Sequence, residues 1–465
     1  MVTDQGEDGL SPCLNTSPDA LAYGLRRLEI RYFPTDDLIV NKKNARIHSN
    51  KQIKQIARSI KELGFNFPIA INTHKEAIAG NGRLEAAKLL GLPSVPTVVL
   101  DHLTPAQQIA FAIIDNKLTE NSKWNDSLLA KQIKFLSEVD LTIDLTTIGF
   151  EVGEIDFIIE NANASNKRDE DATDSIPETP EATPVSKSGD LWVLDRHRIL
   201  CGNCLDENSF LRLMRDRKAT MVFVDPPYNV PIEGHAGGLG SIKHREFAMA
   251  TGEMTREQFT KFLSQALGLL ARFSVNGSIH YICGDWRNMR EFLAAGDQAY
   301  SELKNLCVWA KDNAGMGSFY RSQHELIYVF KSGQAPHRNN FELGQFGRYR
   351  TNLWRYGGVN SFSRKTDEGN LLELHPTVKP AAMIAQAVLD VSCRREIVLD
   401  SFLGSGSTLI ACQRTDRTCY GIEIDPLYVD TIIRRWQTFT GLTAKHSESG
   451  MAFAEIEQEA TDGTV

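Results

Sequence analysis

The stretch REIVLDSFLGSGSTLIACQ, residues 395–413, decides the fold. Ile397, Val398 and Leu399 form an apolar run that reads as a buried strand ending on Asp400. Gly404 and Gly406 make a turn, and Ser407 and Thr408 open a helix. Glycines at such a junction let the backbone approach a ligand closely. A second strand, in TCYGIEID (418–425), ends on Glu423, 23 residues after Asp400. An acid at that offset is placed to accept hydrogen bonds from ribose hydroxyls. A glycine turn alone also occurs in plain strand-turn-helix units. The turn and the acid together point to a nucleoside-containing cofactor. No lysine follows the glycines as in a triphosphate-binding loop, which disfavours a triphosphate at this place.

Outward from this stretch, apolar strands alternate with amphipathic helices. Strands are expected at 220–224, 278–283, 306–309, 326–330, 397–399 and 419–422, with helices at 255–272, 286–295, 378–391, 407–414 and 426–439. The pattern predicts an α/β, Rossmann-like, doubly wound sheet with a reversed hairpin near 306–330. The strand Thr220–Val224 runs directly into DPPYNV, residues 225–230. Pro226 and Pro227 fix the backbone and remove amide donors. Asp225 offers a carboxylate and Tyr228 an aromatic face, a combination suited to a planar base with an exocyclic amine. The plain alternative is a Pro-Pro turn with a core tyrosine.

Residues 338–365 hold six Lys and Arg, one Glu, and the aromatics Phe341, Phe346, Tyr349, Trp354, Tyr356 and Phe362. Basic side chains interleaved with aromatics suit phosphate contact and base reading. A solvated loop with core aromatics is the competing reading. Arg338, Arg348, Arg350 and Arg355 are the candidate DNA contacts here. Lys243 and Arg245, in the glycine-rich stretch after the DPPY motif, are two more. That stretch (229–254) reads as a loop over the active site. Cys201 and Cys204 show metal-like spacing, but no partner Cys/His pair follows, so no metal is expected.

Asp-Pro-Pro-Tyr (225–228), then HPTVKP (375–380), then DSFLGSGST (400–408) resemble, in this order, the amino-group DNA methyltransferases of the permuted β class, over about 189–440. The resemblance implies S-adenosylmethionine as cofactor. Asp400, Phe402, Gly404, Gly406 and Glu423 would line it. His375, Thr377 and Lys379 would sit near its methionine end, with Lys379 pairing its carboxylate. Asp225, Pro226, Pro227 and Tyr228 would be catalytic, and 337–372 would be the target-recognition region. Relatives carry aspartate where this chain has Asn203, which keeps an acceptor for the cofactor adenine but no charge.

The N-terminal part reads as compact α+β. It has a helix from Ser49 to Gly64, short strands near 68–72 and 76–79, a GNGR turn (80–83) opening a helix, and a strand at 95–100. NARIHS (44–49) and AGNGRLEAAKLLG (79–91) resemble the ParB-like, sulfiredoxin-related domain. That resemblance implies nucleotide phosphates held at a helix N-terminus by Arg46, Gly80, Gly82 and Arg83. The partition proteins' Gly-Glu-Arg-Arg box is Gly80-Asn81-Gly82-Arg83 here, which speaks against nucleotide hydrolysis. A docking or structural module is the alternative.

The expected organisation is a disordered N-terminus (1–21), a ParB-like domain (22–118), a helical extension (119–162), a flexible linker (163–188), the methyltransferase domain (189–440) and an acidic tail (441–465). The linker stretch carries six acids and three prolines and almost no large apolar residue, so it cannot build a core. Over the whole chain the net charge is −8, yet residues 189–440 hold 30 Lys and Arg against 27 Asp and Glu. An anionic partner therefore fits that part. With 42% hydrophobic and 24% charged residues, collagen-like and wholly disordered classes are excluded. Scattered cysteines and the lack of an apolar span or signal pattern predict a cytoplasmic protein that does not enter a membrane.

These readings converge on a site-specific methyltransferase acting on double-stranded DNA, most plausibly at N6 of adenine and in a setting such as restriction-modification. N4-cytosine methylation is the alternative. A nucleotide-dependent DNA-binding protein with a degenerate methylase is the second. A homodimer stays open.

Overall fold

Val398 and Leu399 pair in parallel with Met221 and Val222, although a large part of the chain separates them. This pairing fixes the architecture. The computed structural model describes residues 28–138, 145–164, 184–229, 253–312, 319–341, 349–357 and 378–462. The chain forms two compact units, Met1–Glu151 and Val152–Val465.

The second unit is built on a ten-stranded sheet of order β11-β9-β10-β8-β7-β12-β13-β6-β5-β14. Its strands are β5 (Leu191–Leu194), β6 (His197–Cys201), β7 (Ala219–Val224), β8 (Ser274–Gly284), β9 (Glu302–Ala310), β10 (His324–Ser332), β11 (Leu353–Arg355), β12 (Ile397–Asp400), β13 (Thr418–Glu423) and β14 (Lys445–His446). Strands β8, β7, β12, β13 and β6 run parallel. β10 is antiparallel to both β8 and β9, which is the expected reversed hairpin. Side chains alternate across this buried sheet. Met221 and Phe223 enter the core on one face, and Val222 and Val224 enter the core on the other. That is why the parallel strands read as continuous apolar runs.

The first unit carries a four-stranded sheet of order β1-β4-β2-β3, with β1 at Ile30–Pro34, β2 at Ile69–Ile71, β3 at Ala77–Ala79 and β4 at Ser94–Val99. Helix α1 (Asn50–Leu63) starts where Ser49 caps the Gln52 amide and stops at Gly64, whose φ of 87° suits glycine. Helix α2 (Asn81–Leu90) begins after Gly80, also left-handed at φ 91°.

Two expectations need correction. The helical extension (119–162) is divided between the units. α3 (Pro105–Glu120) and α4 (Asp126–Glu138) belong to the first, and α5 (Val152–Ala164) to the second. Asp156 on α5 explains the division. It is 1% exposed and pairs with the fully buried Arg417 at 2.8 Å and with Arg394 at 3.3 Å. The acidic tail is folded as well. β14 pairs antiparallel with β5, and Phe453 is buried with its ring edge on Trp192, centroids 5.3 Å apart. One large apolar side chain anchors this segment, so it has no periodicity to notice. Most of the expected linker, 165–183, lies outside the described residues. Its last residues are ordered, since Val185 and Ser186 donate their amides to the Asp430 carboxylate.

Candidate active site

Because β7, β12 and β13 are parallel neighbours, their carboxyl ends lie side by side. Asp225 follows β7 directly, and Asp400 and Glu423 end β12 and β13. At about 4.8 Å between strands, the topology alone gathers three acids at one rim.

Beside β12 and β13, among the described residues, only neutral donors face the acids. Asp400 accepts from the Phe402 amide (2.9 Å) and the Thr408 hydroxyl (2.6 Å). Glu423 accepts from the Gly404 amide (2.8 Å) and the Asp425 amide (2.9 Å). The two acids thereby brace the glycine turn. Burial pushes both carboxyls up to about 7, against the pull of these donors. Gly406, at φ 83°, caps helix α6 (Ser407–Arg414), and a Cβ there would meet Ile432 at 3.0 Å. The Phe402 ring sits edge-on to Phe262. Asn203 is exposed just beyond β6, next to the Gly202 amide that donates to the Glu423 carbonyl. Its side-chain oxygen accepts from the Leu205 amide at 2.9 Å.

The DPPY turn is different. The Tyr228 hydroxyl donates to Asp225 at 2.6 Å, and Lys379 pairs with the other Asp225 oxygen at 2.5 Å. Asn288 donates to the Tyr228 carbonyl, and Phe292 meets the Tyr228 ring edge-on. Burial raises the Asp225 carboxyl above its usual range. Lys379 pulls it down, and the neighbouring Glu325 pushes it up again. Lys379, expected near the methionine end of a cofactor, lies between the Asp225 and Glu325 carboxylates. It also pairs with Glu325 at 3.0 Å and sits over the Tyr228 ring, 5.5 Å from its centroid.

Sequence reading missed Glu325, Lys311 and Trp309. Glu325 lies on β10 opposite Trp309 of β9, and Lys311 reaches Glu325 from just past β9. One acid inside the apolar run HELIYVF was the available signal, because a buried carboxylate must be met by a cation or by hydrogen-bond donors.

Other candidates divide. Arg350 was expected at DNA, but it is mostly buried. Its guanidinium bonds the Asp390 carboxylate at 2.9 Å and lies over Trp354. Arg338 pairs with Glu396 at 3.2 Å, and Arg355 is exposed at the end of β11. Lys243, Arg245, Arg348, His375 and Thr377 lie outside the described residues. Burial pushes the Cys201 and Cys204 thiols up to about 12, which fits core packing.

In the first unit, Arg46, Gly80, Gly82 and Arg83 line one cleft of about 220 Å³ at the N-terminus of α2, together with His48 and Asp115. Arg46 reaches Glu120 at 3.3 Å. Burial lowers the Arg83 pKa, and its guanidinium bonds the Phe67 carbonyl.

A parallel α/β sheet with a glycine turn, a ribose-type acid and an Asp-Pro-Pro-Tyr rim defines a nucleoside-cofactor enzyme directed at an amine. Comparison with known proteins narrows this. Residues 219–434 match the DNA methylase family, 22–117 the ParB N-terminal domain, and 127–188 the ParB-methyltransferase HTH domain. The chain belongs to the N6/N4 family of DNA methylases, joined to a ParB N-terminal domain. It is similar to the type II methyltransferase M2.MboI of Moraxella bovis, 26% identical over 250 residues, covering 51% of this chain and 87% of that protein. It is also similar to the ParB-like nuclease domain-containing protein YnaK of Escherichia coli K12, 43% identical over 82 residues, covering 18% of this chain and 94% of that one. Among solved structures, the M1.HpyAVI–SAM complex matches with a TM-score of 0.36 at 18% identity, covering 51% and 98%.

S-adenosylmethionine is the methyl donor of this family. The residues present fit it. Asp400 and Glu423 are buried acceptors whose partners are amides and a hydroxyl, and a Cβ at Gly406 would crowd Ile432 at 3.0 Å, so the turn suits glycine.

Proposed function

We propose that the chain methylates N6 of adenine in double-stranded DNA. The observation that carries this reading is the placement of Asp225 and Tyr228 just after β7, which adjoins the Asp400 strand β12 and, beyond it, the Glu423 strand β13. A base inside a duplex cannot reach such a rim, so the target is flipped out. When bound, S-adenosylmethionine supplies an electrophilic methyl group on a sulfonium. Asp225 and the Pro226 carbonyl accept the two amine hydrogens and turn the nitrogen lone pair towards that methyl. The excess proton of the methylated amine leaves through Asp225. Tyr228, held by Asp225 and Glu325, offers its ring to the base. Positioning and electrostatics supply most of the rate. Asp before Pro-Pro tilts the choice from cytosine N4 to adenine N6. Base-resolution sequencing of DNA treated with the purified full chain and S-adenosylmethionine tests this. N4-methylcytosine in the product would replace the adenine reading, and unmodified DNA would sink it.

We infer a second, separate role for the first unit. Arg46, Gly80, Gly82 and Arg83 meet in one cleft at a helix N-terminus, which suits phosphates. Filter binding of labelled nucleoside triphosphates to the full chain should show retention that Arg83→Ala abolishes. Equal retention by the variant overturns the assignment.

A further inference from the structure

Glu325 is buried, 9% exposed, on the apolar strand β10. Three polar groups converge on its carboxylate. Lys379 lies 3.0 Å away, the Tyr228 hydroxyl 3.2 Å away, and Lys311 closes on the second oxygen. Two of those partners, Lys379 and Tyr228, also hold Asp225. Trp309, opposite Glu325 on β9, carries both lysines over its ring, at 4.7 Å for Lys311 and 5.8 Å for Lys379. Two carboxylates, two lysines, one phenol and one indole therefore form a closed network around the acid placed at the target amine.

Charge explains why the second acid is present. A lone lysine against Asp225 would neutralise it and hold it as a fixed pair. A second carboxylate shares the lysine, so part of the Asp225 charge remains for an incoming amine. Lysine pairing drives Glu325 down to about 2 despite its burial. Glu325 is therefore ionised throughout the working range, and its charge acts on Asp225 continuously. Among the described residues, Cys283 on β8 and Asp400 at the end of β12 also face Asp225.

We propose that Glu325 is a positioning residue for methyl transfer, which holds Lys379 between two carboxylates and so sets the proton affinity of Asp225, with Lys311 fixing Glu325. This rests on the methyltransferase reading above. It assigns to β10 a role in the chemistry that neither the DPPY motif nor the cofactor turn contains.

The test is the pH dependence of single-turnover methyl transfer by the full chain, read as tritium incorporated into DNA. Asp225 works ionised, so activity falls as pH drops through its pKa. Glu325→Gln keeps shape but removes the charge that raises Asp225, so the acid limb should move down by about one pH unit. Lys379→Met removes the cation that lowers Asp225, so the limb should move up. Lys311→Met should move it in the same direction as Lys379→Met but less, as Glu325 then leans more on Lys379 and loosens its hold on Asp225. Calorimetric affinity for S-adenosylmethionine should be unchanged in Glu325→Gln, which shows the variant folded. An acid limb that stays put in folded Glu325→Gln overturns the proposal. A wild-type chain that transfers no methyl group overturns the reading beneath it instead. Should Glu325→Gln fail to fold, an upward limb shift in Lys311→Met that is smaller than the one in Lys379→Met sustains the proposal, and an unmoved or downward limb in Lys311→Met overturns it.

Discussion

Two pairs of buried acids lie along one rim of the sheet and are balanced in opposite ways. Asp225 and Glu325 are held by two lysines. Asp400 and Glu423 are held by backbone amides and one hydroxyl. Neutral donors do not repay the burial of a charge as a cation does, so the second pair is pushed up to about 7. The difference suits the two tasks proposed for them. The first pair must stay ionised beside a reacting amine. The second needs acceptors left wanting for donors, which ribose hydroxyls provide.

The comparison breaks most sharply at Asp225. Asp225→Ala should lower methyl transfer by at least about a thousandfold, while calorimetric affinity for S-adenosylmethionine falls only slightly. Near-normal tritium incorporation would refute the assignment.

Another buried acid, Asp156 on α5, pairs with Arg394 and Arg417 in the turns that lead into β12 and β13. A chain starting at Gly189 loses Asp156 and also the amides that bond Asp430, leaving Arg417 buried without its carboxylate. It should be less stable than a chain starting at Val152 by about 3 kcal/mol, as read by urea unfolding. Equal midpoints would show that α5 contributes nothing.

On the neutral side, Glu423→Ala should weaken S-adenosylmethionine binding by about 1.5–3 kcal/mol, or one to two decades. Unchanged calorimetric affinity would remove Glu423 from the pocket.

The pH dependence should separate the pairs further. Asp400 and Glu423 carry folded pKa values raised to about 7, above the ordinary carboxyl range. Their contribution to the stability of the unliganded chain is therefore full below about pH 4 and is lost as pH rises through 7. Cofactor binding favours the ionised forms, so affinity should rise between about pH 6 and 8. A flat affinity profile over that range would contradict this.

The smallest effect should come from two arginines near the target-recognition region. Arg350 is already paired with Asp390, whereas Arg355 is exposed. Arg355→Ala should change the ratio of activity on preferred and mismatched sites by less than about tenfold. Arg350→Ala should lower the melting temperature and leave the ratio alone. The reverse outcome would make Arg350 the reader.

Much of the site was legible in sequence because it is local. The turn from Asp400 to Thr408, the Glu423 strand end and the DPPY rim are each a few consecutive residues with a physical role. What was not legible depends on distant partners. Glu325 gains its meaning only when β9 and β10 pair and bring Lys311 and Trp309 beside it. Arg350 resembled a DNA contact because its charge shows in sequence and its partner Asp390 does not. The Phe453 anchor and the two-residue β14 are too short for periodicity to reveal.

The neighbouring positions of β7 and β12 also have a consequence for synthesis. The catalytic strand leaves the ribosome long before the strands that border it, β12 and β13. Until those arrive, the β7 edge has no parallel partner on that side, and Asp225 stands beside an incomplete sheet. Pairing across such sequence separation is slow and leaves an apolar strand edge open while it waits. A nascent chain arrested after β10 should therefore carry Asp225, Tyr228, Lys311 and Glu325, but not Lys379, and retain no methyl donor. The gain of donor binding as arrest points move past Glu423 would time the closure of the sheet.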